Sequence, residues 1–76
     1  MPPLRKDFGK RIRAIRQERS LPQERFAELV GISVDFLSLI ERGINSPSFE
    51  TLEQMAKRLR VPVKALFDFP EKRAGK

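Results

Sequence analysis

The segment Pro22 to Gly43, PQERFAELVGISVDFLSLIERG, holds two short apolar periodic runs split by a glycine, and this break constrains the fold more than any other feature. In the first run Phe26, Ala27, Leu29 and Val30 place apolar groups on one helical face, while Gln23, Glu24, Arg25 and Glu28 stay polar. Gly31 follows where a helix is most easily stopped, because the residue past a helix end often adopts positive φ. Ser33 then offers an N-cap oxygen, and Val34 to Arg42 resume the helical pattern with Leu37 and Ile40 inward. Gly43 ends this second helix in the same way. Two helices this short are not stable alone, since nucleation is unfavourable and each must bury its apolar face. The segment therefore predicts the middle of a small helical bundle.

The flanking sequence supplies the rest of that bundle. Leu4 to Glu18 reads as a first helix, with Pro3 just outside it and Asp7 near the positive end of its dipole. Leu4, Phe8, Ile12 and Ile15 make one stripe at helical spacing, which predicts burial. Lys6, Lys10, Arg11, Arg13 and Arg19 lie off it, as either a solvated face or a cationic shoulder. Ser20 and Leu21 form a turn, and the second helix begins at Pro22 or Gln23. After the Ile44 to Pro47 loop, Ser48 is placed to cap a fourth helix, with Glu50 at its dipole and Phe49, Leu52, Met55, Ala56 and Leu59 expected in the core. Pro62 starts a short fifth helix through Val63, Leu66 and Phe67, and Phe67 and Phe69 either complete the core or form a dimer patch. The expected fold is all-α, a compact five-helix bundle occupying residues 1–69, followed by a short charged tail, Pro70 to Lys76, expected to be disordered. No internal repeat, linker or second domain is evident.

Composition narrows the function. A chain of 76 residues allows one domain. Without cysteine there are no disulfides, and without cysteine or histidine the usual zinc ligands are missing, so neither metal nor cofactor is expected. No run approaches the roughly 18 apolar residues of a membrane span, and Met1 to Lys10 lacks the apolar centre of a signal peptide; a soluble, cytoplasmic protein is expected. With no histidine, cysteine, tyrosine or glycine-rich phosphate loop, an enzyme is disfavoured. The net charge of +6 is uneven. Residues 1–20 hold seven Lys/Arg and two acids, residues 21–50 two and five, and residues 51–76 seven and three. Clustered cations suit a nucleic-acid partner, with ordinary solubilising charge the alternative. Because the two-helix segment is the least basic part, any phosphate grip must come largely from its flanks.

The spacing of Gln23, Ala27, Gly31, Ser33, Leu37, Ile40, Glu41, Arg42 and Gly43, followed by NSPSFETLEQMAKRLRVPVKALF, resembles the lambda-repressor/Cro-type (XRE) helix-turn-helix family over roughly Phe8 to Phe67. The resemblance implies a sequence-specific, double-stranded-DNA-binding transcriptional regulator. Its third helix would enter the major groove, its second would cross the backbone, and a homodimer would match a pseudo-palindromic operator. It also implies that Arg16 pairs with Glu41, that Gln23 contacts a phosphate, and that backbone donors near Asn45 hold another. Pro22 stands where members often carry serine or threonine, which removes one backbone contact, and Arg60 where they often carry glycine.

The outward residues of the third helix are expected to be Val34, Asp35, Ser38, Leu39 and Arg42, following Ser33 and with Phe36 on a flank. Of these only Arg42 belongs to the Arg, Lys, Asn and Gln set that best matches base edges. Asp35 either accepts from a cytosine amino group or complements the helix dipole, and Leu39 either touches a thymine methyl or is a partly exposed core residue. Val63, Phe67 and Phe69 are the candidate dimer interface. The alternative function is a protein–protein interaction module, co-regulator or antitoxin-like, that uses Val34, Phe36 and Leu39 on a partner protein.

Overall fold

Four α-helices, α1 (Leu4–Glu18), α2 (Gln23–Val30), α3 (Val34–Glu41) and α4 (Phe49–Leu59), and a closing 3-10 helix (Val63–Phe67) make up the fold in this computed structural model, which describes residues 3–69. The expected tail, Pro70 to Lys76, lies outside the described residues. No strand occurs among them.

All four α-helices end by one device. A residue in left-handed backbone follows each helix, and the next N–H reaches back to a carbonyl five positions earlier: Ser20 and Leu21 onto Arg16 at 3.3 Å, Gly31 and Ile32 onto Ala27 at 3.0 Å, Gly43 and Ile44 onto Leu39 at 3.0 Å, Arg60 and Val61 onto Ala56 at 3.0 Å. Carbonyls otherwise left without a partner are satisfied in this way. After three of the reversals the apolar residue turns inward, Leu21, Ile32 and Val61 packing on the core, whereas Ile44 stays exposed. Arg60, at φ 61°, takes the left-handed conformation that glycine adopts without strain.

The core joins Phe8, Ile12 and Ile15 of α1 to Phe26, Ala27 and Val30 of α2, Leu37 and Ile40 of α3, Leu52, Met55, Ala56 and Leu59 of α4, and Leu66 of the 3-10 helix. Fully burying a side chain of Leu, Ile or Phe size contributes about 1.5–3 kcal/mol, so a core of this composition accounts for helices too short to persist alone. α1 lies tight against the end of α3 at Gly9, where a Cβ would fall on the Ile40 carbonyl oxygen and lie 3.0 Å from that of Glu41.

Four expectations are corrected. The fold has four α-helices and not five, since Val63–Phe67 is a 3-10 helix whose Ala65 N–H bonds to Pro62 three residues back at 2.9 Å. Five residues after a proline are too few to establish the α-helical pattern. Phe49, expected in the core, is 82% exposed, and Leu4, expected in the buried stripe of α1, is 61% exposed. Both occupy the first position of their helices, and helical side chains tilt toward the N-terminus, which carries these two past the edge of the core. Leu29 also sits on the outside of α2.

Candidate nucleic-acid interface

The α2–α3 turn is fixed from both sides. Ser33 caps α3, its Oγ accepting from the Phe36 N–H at 3.0 Å. From α4, the Gln54 side-chain amide donates to the carbonyls of Val30 at 2.8 Å and Gly31 at 3.2 Å, the last acceptors of α2. With Leu37 and Ile40 fully buried, the opposite side of α3 is set outward. Val34, Asp35, Ser38 and Arg42 fall within roughly a third of the circumference at 3.6 residues per turn, and Leu39 lies at its edge. Val34, Asp35 and Arg42 are exposed, whereas Ser38 and Leu39 are half-buried. Phe36, on the flank, packs against the core. Arg42 itself follows the helix as its cap rather than lying within it.

Beneath this face lies a charged cluster. Arg16 Nε donates to Glu41 Oε2 at 2.7 Å and Nη2 to Oε1 at 3.1 Å, a two-point pairing matched to the planar guanidinium. The remaining arm, Nη1, donates to the Leu21 carbonyl at 3.0 Å. Gln23, in the first turn of α2, donates from Nε2 to Glu41 Oε1 at 3.1 Å. One carboxylate thus ties α1, α2 and α3 together, and its hydrogen bond raises the Arg16 pKa above the ordinary arginine value. A primary amide carries two N–H donors, so Gln23 keeps one beyond the bond to Glu41.

The flanking cations divide into two groups. Arg5 Nη1 donates to the Ile44 carbonyl at 3.2 Å, and Lys6 lies against Gly43, where a Cβ would meet its side chain at 2.8 Å. The start of α1 therefore brings two cations to the end of α3, beside Arg42. Arg13, exposed and one turn beyond Gly9, continues that line. Arg11 and Arg19 act as tethers: Arg11 Nε donates to the Ala65 carbonyl at 2.9 Å, and Arg19 Nη2 to that of Leu59 at 2.8 Å. Asn45 turns its N–H back onto the Leu39 carbonyl of α3 at 3.4 Å, a long bond.

Gln54, Gly9, Arg5, Arg11 and Arg19 were not singled out by sequence pattern for these roles. A glycine within an otherwise good helix was the one signal available, since it is unfavourable there by about 1 kcal/mol unless something must approach closely. Val63 is exposed, while Phe67 and Phe69 are half-buried against the core. Among the described residues no group of three or more His, Cys, Asp or Glu could hold a metal ion, and no helix is long and apolar enough to cross a membrane.

Two short helices at a glycine turn, the second capped by serine and facing outward, define a helix-turn-helix domain. The chain belongs to the helix-turn-helix family HTH_3, which it matches over residues 12–66. It is 45% identical over 58 residues to the immunity repressor protein of Bacillus phage phi105, covering 76% of this chain and 40% of that protein. The chain thus spans less than half the length of this relative. It is 42% identical over 65 residues to the uncharacterized HTH-type transcriptional regulator YazB of Bacillus subtilis, covering 86% of this chain and 93% of YazB. In three dimensions it is similar to the restriction-modification controller protein C.AhdI from Aeromonas hydrophila, at a TM-score of 0.77 and 30% identity over 83% of this chain and 96% of that one.

Proposed function

We propose that this chain is a sequence-specific DNA-binding transcriptional regulator, acting as a homodimer on a pseudo-palindromic operator with α3 in the major groove. The observation that carries this reading is the outward side of α3: an exposed, serine-capped N-terminus held rigidly by Gln54 and the Arg16–Glu41–Gln23 cluster, with Arg5 and Lys6 brought to its far end. The flanking cations answer the acidity of residues 21–50, because the fold sets part of α1 beside the reading helix. Relatives named as a repressor and a transcriptional regulator support the same reading.

In this account Gln23 gives its second N–H to a phosphate, and Glu41 holds the amide in place for it. Arg42 supplies charge on the recognition side, and Ser33 and the Asn45 loop position the backbone. Val34, Asp35, Ser38 and Leu39 read base edges: the apolar pair against thymine methyl groups, Asp35 against a cytosine amino group, Ser38 in either sense. Val63, Phe67 and Phe69 contribute to the dimer. Selection of duplexes from a random library, followed by a salt titration on the selected site, tests the proposal. A palindromic consensus with affinity that falls steeply with salt is expected, and no enrichment together with no salt-dependent binding would favour the protein-interaction alternative.

A further inference from the structure

A second concentration of positive charge lies at the C-terminal ends of α2 and α4. There an open groove of about 710 Å³ is lined by Leu29, Gln54, Lys57, Arg58 and Arg60. No carboxylate is among these lining residues, and none of the three cations enters an ion pair among the described residues. The recess is well fixed. The Gln54 amide is bonded to the Val30 and Gly31 carbonyls, and a Cβ at Gly31 would lie 3.4 Å from the guanidinium carbon of Arg58. The dipole of α4 accounts for cations in its last turn, where Lys57 and Arg58 stand. It does not account for Arg60, which keeps its charge at φ 61°, in backbone that glycine adopts without strain. Nor does it account for Leu29, an apolar side chain 36% exposed among these cations. Strained backbone gathers at ligand clamps and other functional sites, where binding offsets its cost.

We propose that this groove docks an acidic segment of a partner protein, with its carboxylates on Lys57, Arg58 and Arg60 and an apolar side chain on Leu29. Charge complementarity sets the sign of the occupant, since the groove presents cations with no acid of its own to answer them. Leu29 sets its class: a phosphodiester chain carries charge on every link and has no aliphatic side chain to cover a leucine, whereas an acidic amphipathic segment offers both. Position agrees. Leu29 lies six residues beyond Gln23, about 9 Å along α2 and about 120° round it, so the groove faces a different side from the one assigned to the DNA backbone. A recess of this size holds only a few side chains, which suits a transient regulatory contact.

Fluorescence anisotropy of a short labelled peptide of glutamate and leucine, titrated with the full chain, tests the docking site separately from DNA reading. A basic chain attracts any acidic peptide, so Lys10→Glu, an equal change of charge at an exposed position on α1, is the reference. Lys57→Glu and Arg58→Glu should weaken binding about tenfold relative to Lys10→Glu, and Leu29→Ser should weaken it with no change of charge. Arg60→Gly removes a cation while relieving the backbone, so it should bind the peptide less tightly yet unfold at a higher denaturant concentration, a loss that misfolding does not explain. Amide shifts on adding the peptide should centre on Leu29, Lys57, Arg58 and Arg60. Equal binding by Lys10→Glu and Arg58→Glu, or shifts spread along α1, would reduce the effect to net charge and overturn the proposal. If Arg58→Ala leaves peptide binding unchanged but flattens the salt dependence of duplex binding by about one unit, the DNA backbone is the occupant and the proposal fails.

Discussion

Arg16 and Glu41 are joined by two hydrogen bonds, 2.7 Å and 3.1 Å long, with side chains only 14% and 4% exposed, and the pair fastens α1 to the end of α3. At that burial, removing one partner leaves the other charged and without its counter-ion, which typically costs 3–5 kcal/mol, against about 0–1 kcal/mol for a surface pair. We expect Arg16→Met and Glu41→Gln each to destabilise by about 3 kcal/mol, with the double variant well short of their sum. Denaturant unfolding in a double-mutant cycle measures this, and additive losses would refute the coupling. The raised Arg16 pKa fixes the sign of its pH dependence: its contribution is complete below the ordinary arginine value and fades only as pH rises through the raised one. From neutral to moderately alkaline pH, the Arg16 side of the pair adds no slope.

Gly9 makes the opposite prediction to an ordinary helical glycine. Alanine at an open site in a helix gains about 1 kcal/mol. Here the added methyl meets the Ile40 and Glu41 carbonyls, and backbone oxygens cannot move aside without shifting α3. Gly9→Ala should destabilise by about 1–3 kcal/mol, the usual range for overpacking. It should also weaken DNA binding by displacing the reading helix. A thermal midpoint equal to or above wild type would show that the close approach is absent in solution.

Arg60→Gly should stabilise. An L-residue in left-handed backbone costs about 1–2 kcal/mol, and glycine returns part of this as greater freedom in the unfolded chain, leaving a net gain of about 0.5–1 kcal/mol. The same denaturant assay reads it, and a loss of stability would mean that the Arg60 side chain holds contacts worth more than the strain.

The elements of this fold were legible because local chemistry marks them. Gly31, Ser33, Gly43 and Ser48 sit at the helix boundaries that their backbone and capping preferences predict, and the α1 bounds follow from Pro3 and the stripe that it precedes. Periodicity tells which side of a helix faces inward but not where along its axis the core stops, and for that reason Phe49 and Leu4 were misplaced. The 3-10 register of Val63–Phe67 was hidden, since five residues after a proline show the same apolar spacing in either helix. On the α3 side, outward residues follow from the inward ones. The clamps do not: which cation finds an unsatisfied carbonyl depends on contacts far apart in the chain, such as Arg19 with Leu59 or Gln54 with Val30.

Asp35 separates two accounts of the recognition helix. A carboxylate near phosphates repels, so on this face it either accepts from a cytosine amino group or serves the dipole at the α3 N-terminus. If it reads a base, Asp35→Asn should raise affinity for random duplex and alter preference at one base pair by about 1–3 kcal/mol. Unchanged preference across a panel of single-base operator variants, with a small loss of stability, would leave it the dipole role alone.

The most direct test of DNA reading is the salt dependence of duplex binding by wild type and Arg42→Ala. Arg42 is the one cation on the outward side of α3, and a single phosphate contact contributes a slope of about 0.9 in log affinity against log salt. We predict steep salt dependence for wild type on a selected site, with Arg42→Ala binding all sequences more weakly and its slope flattened by about one unit. Wild-type binding that is absent, or unaffected by salt, would contradict the account.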